Sequence, residues 1–298
     1  MITVRELTKR YGNSLAVDDM TFDVAAGRVT GFVGPNGAGK STTMRMMVGL
    51  THPGAGDVRY YGVRYRDLED PARIVGAVLD ARCMHPGRTA RNHLRATAAL
   101  SGIPSRRVGE VLAEVGLEPA ADKRAGTFSL GMRQRLALAS ALLGEPQVLL
   151  LDEPSNGLDP DGIRWLRDHL RDLARRGGTV FVSSHLISEL SMFADDLVVI
   201  GAGRLLAAES VAAITGRNDV GVLVRTLQPV EFEALLAAHG LAVESAADRL
   251  VVHGTTRDVV SQIAFDNSIR LLELSETSRS LEDSLLDMTR SSAEFASR

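Results

Sequence analysis

The chain of 298 residues carries 34 Lys and Arg against 37 Asp and Glu, a net charge of −3, with 45% hydrophobic and 4% aromatic residues. That balance describes a soluble globular protein near the size at which one core divides into a large domain and a small one. A single cysteine, Cys83, excludes an intrachain disulfide framework, and the strongest apolar stretch, residues 136–151, is cut by Glu145 and Pro146 and is too short to span a membrane. No Cys or His cluster has the spacing of a structural zinc site. Arg5, Glu6, Lys9 and Arg10 interrupt any signal-peptide core, so a reducing, cytoplasmic location is expected.

Val29-Thr30-Gly31-Phe32-Val33 is the first well-marked strand. It runs into Gly34-Pro35-Asn36-Gly37-Ala38-Gly39-Lys40-Ser41, which fits G-x-x-x-x-G-K-[ST], and Thr42 then opens a helix without a breaker until Gly49. Glycines let backbone N–H groups turn inward on a phosphate, and the helix N-terminus adds its partial positive charge. Lys40 supplies a point charge for the β- and γ-phosphates, and Ser41 a hydroxyl for Mg²⁺. Only Lys9, Lys40 and Lys123 are lysines in this chain. Lys40 has a reason to be one, because a guanidinium fork does not replace a compact ammonium among phosphate oxygens. Nucleotide binding follows.

Val148-Leu149-Leu150-Leu151 is a strand of the kind buried on both faces, and it ends in Asp152-Glu153. Open α/β sheets hold their ligands at such carboxyl ends. Two acids can simply terminate a strand; downstream of a phosphate loop, Asp152 can hold Mg²⁺ and Glu153 can orient or deprotonate the water that attacks a γ-phosphate. Asn156-Gly157-Leu158-Asp159-Pro160 forms a turn before a helix whose apolar face is Ile163, Leu166, Leu170 and Leu173, with Trp165, the only tryptophan, assigned to packing. A further buried strand, Thr179-Val180-Phe181-Val182, leads into Ser183-Ser184-His185, and His185 could reach the same γ-phosphate. The alternation of strands and helices predicts an α/β domain with a largely parallel sheet.

Thr215-Gly216-Arg217-Asn218-Asp219 is turn-rich, and beyond it the charge changes: residues 216–298 hold eight arginines, no lysine and thirteen acids. The domain boundary is placed there, giving domains 1–215 and 216–298. The second domain is predicted as strand 220–225, helix 230–239, strands 241–244 and 250–253, helix 257–265, strand 269–274 and helix 281–289. That order is a small ferredoxin-like α+β domain with an extra terminal helix. It carries no recognisable chemistry; regulation, dimer contact and stabilisation all remain open for it.

Taken in order, these motifs resemble those of the ATP-binding subunits of ABC transporters, over residues 1 to about 215. Residues 34–41 resemble the family's Walker A loop, Val148 to Glu153 its Walker B strand with catalytic Glu, Asn156 to Asp159 its D-loop, and His185 its switch histidine. Phe128-Ser129-Leu130-Gly131-Met132-Arg133-Gln134-Arg135 resembles the family signature, usually L-S-G-G-Q, and Tyr11 matches the aromatic that stacks on adenine. The resemblance implies a P-loop NTPase fold and ATP contacts from Tyr11, Gly34, Pro35, Asn36, Gly37, Ala38, Gly39, Lys40, Ser41, Thr42, Ser129, Gly131 and Asp159. It implies Mg²⁺ contacts from Ser41, Asp80 and Asp152, with Glu153 and His185 catalytic. Leu130 and Met132 depart from the signature, and Asp80 stands where the family usually has Gln. With the C-terminal Ser280-Leu281-Glu282-Asp283, these departures resemble the antibiotic-resistance branch of bacterial exporters, including bacitracin-type ATPases.

The resemblance further implies a head-to-tail dimer with a second copy or a paralogous ATPase subunit. Each ATP would lie between Lys40, Asp152, Glu153 and His185 of one chain and Ser129 and Gly131 of the other. A separately encoded integral-membrane permease would dock in a groove around Asp80 and hold the ATPase at the inner face of the membrane. Arg82, Arg88, Arg91 and Arg95 would either pair with acids there or form a solvated helix face. The competing expectation is a soluble regulatory ABC ATPase without a permease. DNA-repair ATPases of this class need a long coiled-coil insertion for which the span from Lys40 to Ser129 is too short, no N-K-x-D motif points to GTP, and no basic stripe points to nucleic acid.

Overall fold

The computed structural model describes residues 1–81, 84–185, 187–216, 221–246 and 249–277. The chain opens with a hairpin of β1 (Ile2–Tyr11) and β2 (Ser14–Val24), then the predicted strand β3 (Val29–Val33) and helix α1 (Lys40–Met47). The helix starts at Lys40 rather than Thr42, because the glycine loop delivers the backbone in helical register at Gly39. β4 (Ala55–Tyr60) and β5 (Val63–Arg64) follow, then α2 (Pro71–Ile74) and β6 (Val75–Val78). A helical segment comprises α3 (Ala90–Leu100), α4 (Arg106–Glu114) and α5 (Leu130–Leu142). This part of the chain is completed by β7 (Val148–Asp152), α6 (Pro160–Arg175), β8 (Thr179–Ser184), α7 (Ile187–Ser191), β9 (Asp196–Gly201) and β10 (Arg204–Ser210).

Two sheets form the core of this part. One is antiparallel, in the order β2-β1-β4-β5; the other runs β10-β9-β3-β8-β7-β6, parallel except for its β10 edge. Val148, Leu149, Leu150 and Leu151 are all fully buried, as expected of a parallel strand covered on both faces. Phe22 from β2 packs on Phe32 and Phe181 from β3 and β8, with ring centroids 4.9–6.0 Å apart, and so joins the two sheets. The Tyr60 hydroxyl donates to the Met47 carbonyl at 3.0 Å and ties the end of α1 to β4. Parallel pairing forces the carboxyl ends of β3, β6, β7 and β8 onto one edge, and this edge positions the site.

Contacts divide the chain into a unit spanning Met1–Val211 and a second beginning at Ala212. A short helix, α8 (Val211–Gly216), takes in Thr215 and Gly216 of the turn-rich segment, and Arg217, Asn218 and Asp219 lie outside the described residues. The second unit contains β11 (Gly221–Thr226), α9 (Pro229–Ala238), β12 (Ala242–Ala246), β13 (Arg249–His253), α10 (Arg257–Asp266) and β14 (Leu271–Thr277). Its antiparallel sheet has the order β12-β13-β11-β14, the ferredoxin-like arrangement expected. Val222, Val224, Leu250 and Val252 alternate along their strands and bury with Phe232, Leu236 and Val260. The predicted helix 281–289 and Cys83 lie outside the described residues. Among those described, no helix is long and apolar enough to cross a membrane.

Two histidines in the helical layers are half-buried, and each has its imidazole pKa lowered from the ordinary value. For His93 the causes are burial and then the Arg88 charge; for His169 burial dominates, opposed by Glu114, reinforced by Arg176 and opposed again by Asp172. Each takes up its proton at a lower pH in the fold than in the unfolded chain, so as the pH drops through about 6.5 the unfolded chain binds protons ahead of the native one, and stability falls. Thermal melts between pH 7 and pH 5 should show this loss, and His169→Gln should flatten the profile; an unchanged slope would remove His169 from the account.

Candidate functional site

The phosphate-loop conformation follows from where glycine is required. At Gly34 a β-carbon would lie 2.5 Å from the Ile200 carbonyl oxygen, and at Gly39, with φ +103°, one would lie 2.5 Å from the Ala16 carbonyl oxygen. Gly39 caps α1 with no side-chain acceptor, and the first turn holds no acid, so its N–H groups are left for an incoming anion. Ser41 is exposed at this turn and Thr42 half-buried. Lys40 is only 7% exposed; its Nζ donates to the carbonyls of Gly34 at 2.5 Å and Pro35 at 3.3 Å, and sits 3.9 Å from Glu153 Oε1. The ammonium pKa is lowered by burial, which the charges of Glu153 and then Asp152 partly offset by favouring the cation.

Those carboxylates come from the end of β7. Asp152 is opposite Ser183 in the β7–β8 ladder, and Val33 is opposite Ser184 in the β3–β8 ladder. The buried Ser183 hydroxyl donates to Asp152 Oδ1 at 2.5 Å and accepts the Glu153 N–H at 2.9 Å. Glu153 has φ +50°, an uncommon left-handed conformation for a non-glycine residue, of the kind concentrated at functional sites. Its Oε2 lies 2.7 Å from His185 Nδ1, while its Oε1 faces Lys40. One carboxylate thus bridges the ammonium at the loop and the imidazole at the end of β8. Ser183 is absent from the sequence-derived site; its only signal was its place two residues before His185 on a buried strand.

Other predicted residues fall elsewhere. Tyr11 ends β1 at 49% exposure with Lys9 Nζ 5.2 Å from its ring centroid, and Ala16 of the same hairpin abuts Gly39. Asp80 lines a cavity of about 450 Å³ with Arg45, Tyr65, His93 and Ser140; neither Ser41 nor Asp152 contributes to that lining. Ser129 caps α5, its Oγ accepting the Met132 N–H at 3.2 Å. With Gly131 and Asp159 it lines a separate cleft of about 410 Å³ that includes none of residues 34–42, Asp152, Glu153 or His185. Asp159 caps α6, accepting the Gly162 N–H at 2.9 Å.

A parallel sheet with a glycine loop, a buried lysine and two carboxylates at its carboxyl edge defines a P-loop nucleoside-triphosphatase. Residues 17–156 match the ABC transporter family, and residues 220–282 match a domain family of unknown function, DUF8746. The chain is 35% identical to the uncharacterized ABC transporter ATP-binding protein YhcH of Bacillus subtilis, covering 97% of this chain and 96% of that protein. It is 34% identical to the bacitracin transport ATP-binding protein BcrA of Bacillus licheniformis, covering 95% of each chain. It is also 34% identical to the Nod factor export ATP-binding protein I of a Rhizobium species, strain N33, over 97% of this chain and 96% of that one. A solved ATP-binding subunit of an ABC transporter superposes with a TM-score of 0.67 at 28% identity, covering 73% of this chain and 92% of that structure. The dimeric cassette MJ0796 superposes at 0.65 with 25% identity, over 71% and 99%. The chain therefore belongs to the ATP-binding proteins of ABC transporters, and it is an ATP-binding and ATP-hydrolysing protein.

Ser183→Ala removes the hydroxyl shared by Asp152 and Glu153 and leaves a partly buried N–H without it, a loss of about 1 kcal/mol. ATP turnover should fall roughly tenfold or more in steady-state assays; undiminished turnover would show that the strand ends hold the carboxylates without it.

Proposed function

We propose that this chain is the ATP-hydrolysing subunit that energises a separately encoded integral-membrane permease, exporting a drug, antibiotic or other small molecule. The observation that carries the proposal is the meeting of Lys40, Glu153 and His185 at one sheet edge, with Ser129 and Gly131 in a different cleft of the same chain. A second copy or a paralogous subunit, arranged head to tail, would supply Ser129 and Gly131 to the first chain's ATP. Relatives named for bacitracin transport and Nod factor export support the export direction. Residues 1–215 are taken as the motor and 216–298 as an accessory domain; the net charge of −3 supports no nucleic-acid partner.

In the mechanism, the N–H groups of residues 37–42 and the Lys40 ammonium would hold the β- and γ-phosphates, and Tyr11 would stack on the adenine. The donor set suits Mg²⁺, which favours one or two protein oxygens together with substrate phosphates; Ser41 and Asp152 would be those ligands, with Asp80 nearer the permease groove. Bound there, the ion would neutralise phosphate charge. Glu153 orients the attacking water and takes its proton, and His185, bonded to the same carboxylate, fixes its direction toward the γ-phosphate. ATP draws the two subunits together, and hydrolysis releases them. The cavity beside Asp80 would receive the permease and keep the ATPase peripheral at the inner face of the membrane.

Glu153→Gln should retain ATP binding, lose turnover by about a hundredfold or more, and accumulate an ATP-bound dimer in size-exclusion chromatography. Unimpaired hydrolysis would overturn the role assigned to Glu153, and a variant that binds ATP as a monomer would overturn the paired arrangement. Co-purification from detergent-solubilised membranes should recover an integral-membrane partner; recovery of the ATPase alone would favour a soluble regulatory ATPase. Asp80→Gln should leave ATP affinity intact and change only partner-stimulated hydrolysis.

A further inference from the structure

Arg135 takes no part in the chemistry above, yet it touches each segment around the second cleft. It lies four residues after Gly131 and so shares a face of α5 with it. Its NH1 donates to the Val115 carbonyl at 3.3 Å beyond the end of α4, its NH2 is 3.7 Å from Asp159 Oδ1, and its guanidinium carbon is 5.8 Å from the centre of the Trp165 ring. The other stacking partner of Trp165 is His169, at 5.4 Å between ring centroids. Two glycines make room for the guanidinium: a β-carbon at Gly116 would lie 3.1 Å from NH1, and one at Gly162 would lie 3.2 Å from NH2 and 2.7 Å from Asp159 Oδ1. A third, Gly131, lets α5 approach the turn before α6, since its β-carbon would lie 2.7 Å from the Gly157 carbonyl oxygen. Across the same contact the Leu130 side chain covers Gly157. Because Asp159 is 68% exposed, the ion pair alone contributes little; stack, carbonyl bond and glycine clearances together hold the arrangement.

We propose that Arg135 is a positioning residue that clamps the Ser129–Gly131 turn to the Gly157–Asp159 turn of the same chain, so that both move as one rigid body. The clamp is internal to one chain; only its consequence for turnover rests on the paired arrangement proposed above. If Ser129 and Gly131 meet the ATP of a second copy, then the Asp159 turn is presented to that copy in fixed register with them. ATP capture at Lys40 does not involve the clamp, whereas assembly of the complete site does.

In the full chain, Arg135→Gln should accelerate amide hydrogen exchange about tenfold in residues 129–132 and in residues 157–162 together. Acceleration in one segment alone overturns the clamp. Affinity for ATP, read by calorimetry, should stay within about twofold while kcat falls about tenfold, and Arg135→Lys, which keeps the charge but not the planar fork, should recover part of kcat. Equal losses in affinity and kcat, or no recovery by Lys, would reduce Arg135 to general packing. Asp159→Asn keeps a competent helix cap and removes the charge; combined with Arg135→Gln it should add no further loss of kcat, and additive losses overturn the clamp. Should Arg135→Gln fail to fold, Gly162→Ala serves instead, because alanine favours the helix while its methyl, 2.7 Å from Asp159 Oδ1 and 3.2 Å from Arg135 NH2, forces the two ends of the clamp apart. It should reproduce the joint exchange, and an unchanged pattern overturns the proposal. Absence of a dimer in Glu153→Gln with joint exchange intact would sink only the paired arrangement.

Discussion

Parallel pairing of β3, β8 and β7 is the constraint on which the site depends. Val33 lies opposite Ser184 and Asp152 opposite Ser183, so the glycine loop, the carboxylate pair and His185 emerge within a few residues of one another along a single edge. A slip of one residue in either ladder would turn alternate side chains to the opposite face and separate Lys40 from Glu153. The buried runs of β7 and β8 resist such a slip, because any displaced register would bring Asp152 or Ser183 into the apolar layer that Phe22, Phe32 and Phe181 occupy.

Glu153 is the point where that register becomes chemistry. Its carboxylate lies between a desolvated ammonium and an imidazole, and its backbone is held left-handed by the bond to Ser183. Burial lowers the Lys40 ammonium pKa, and the two neighbouring carboxylates oppose that shift. The loop thereby keeps a cation among carbonyl oxygens, which is the charge a phosphate chain needs. Strain at Glu153 and desolvation at Lys40 are both unfavourable to folding, and the fully buried strands on either side supply the stability that offsets them.

The second cleft follows a different logic. Ser129, Gly131 and Asp159 serve first as helix caps and close-contact points inside their own chain, with α5 and the turn before α6 drawn together where glycines leave space. The C-terminal unit is different again. Its sheet buries an alternating Val and Leu face under α9 and α10.

Local patterning made several elements legible before any coordinates. The glycine loop, the apolar runs of β3, β7 and β8 and the β-α-β-β-α-β order of the C-terminal unit each rest on short-range periodicity or on glycine chemistry, which neighbouring residues alone determine. The start of α1 was displaced because a glycine cap obeys loop geometry rather than side-chain preference. Ser183 escaped notice because a serine on a buried strand reveals its partners only when the adjacent strand is in register. Arg135 closes the signature-like stretch of residues 128–135, but nothing in that pattern indicated its partners. The sequence by itself determined which residue types could hold phosphate and activate water, since those are properties of the side chains and of glycine backbone. Only the tertiary structure decided that Glu153 reaches both Lys40 and His185, that Ser129 and Asp159 lie in another cleft, and that Arg135 joins them, because these distances arise from long-range pairing and packing between segments far apart along the chain.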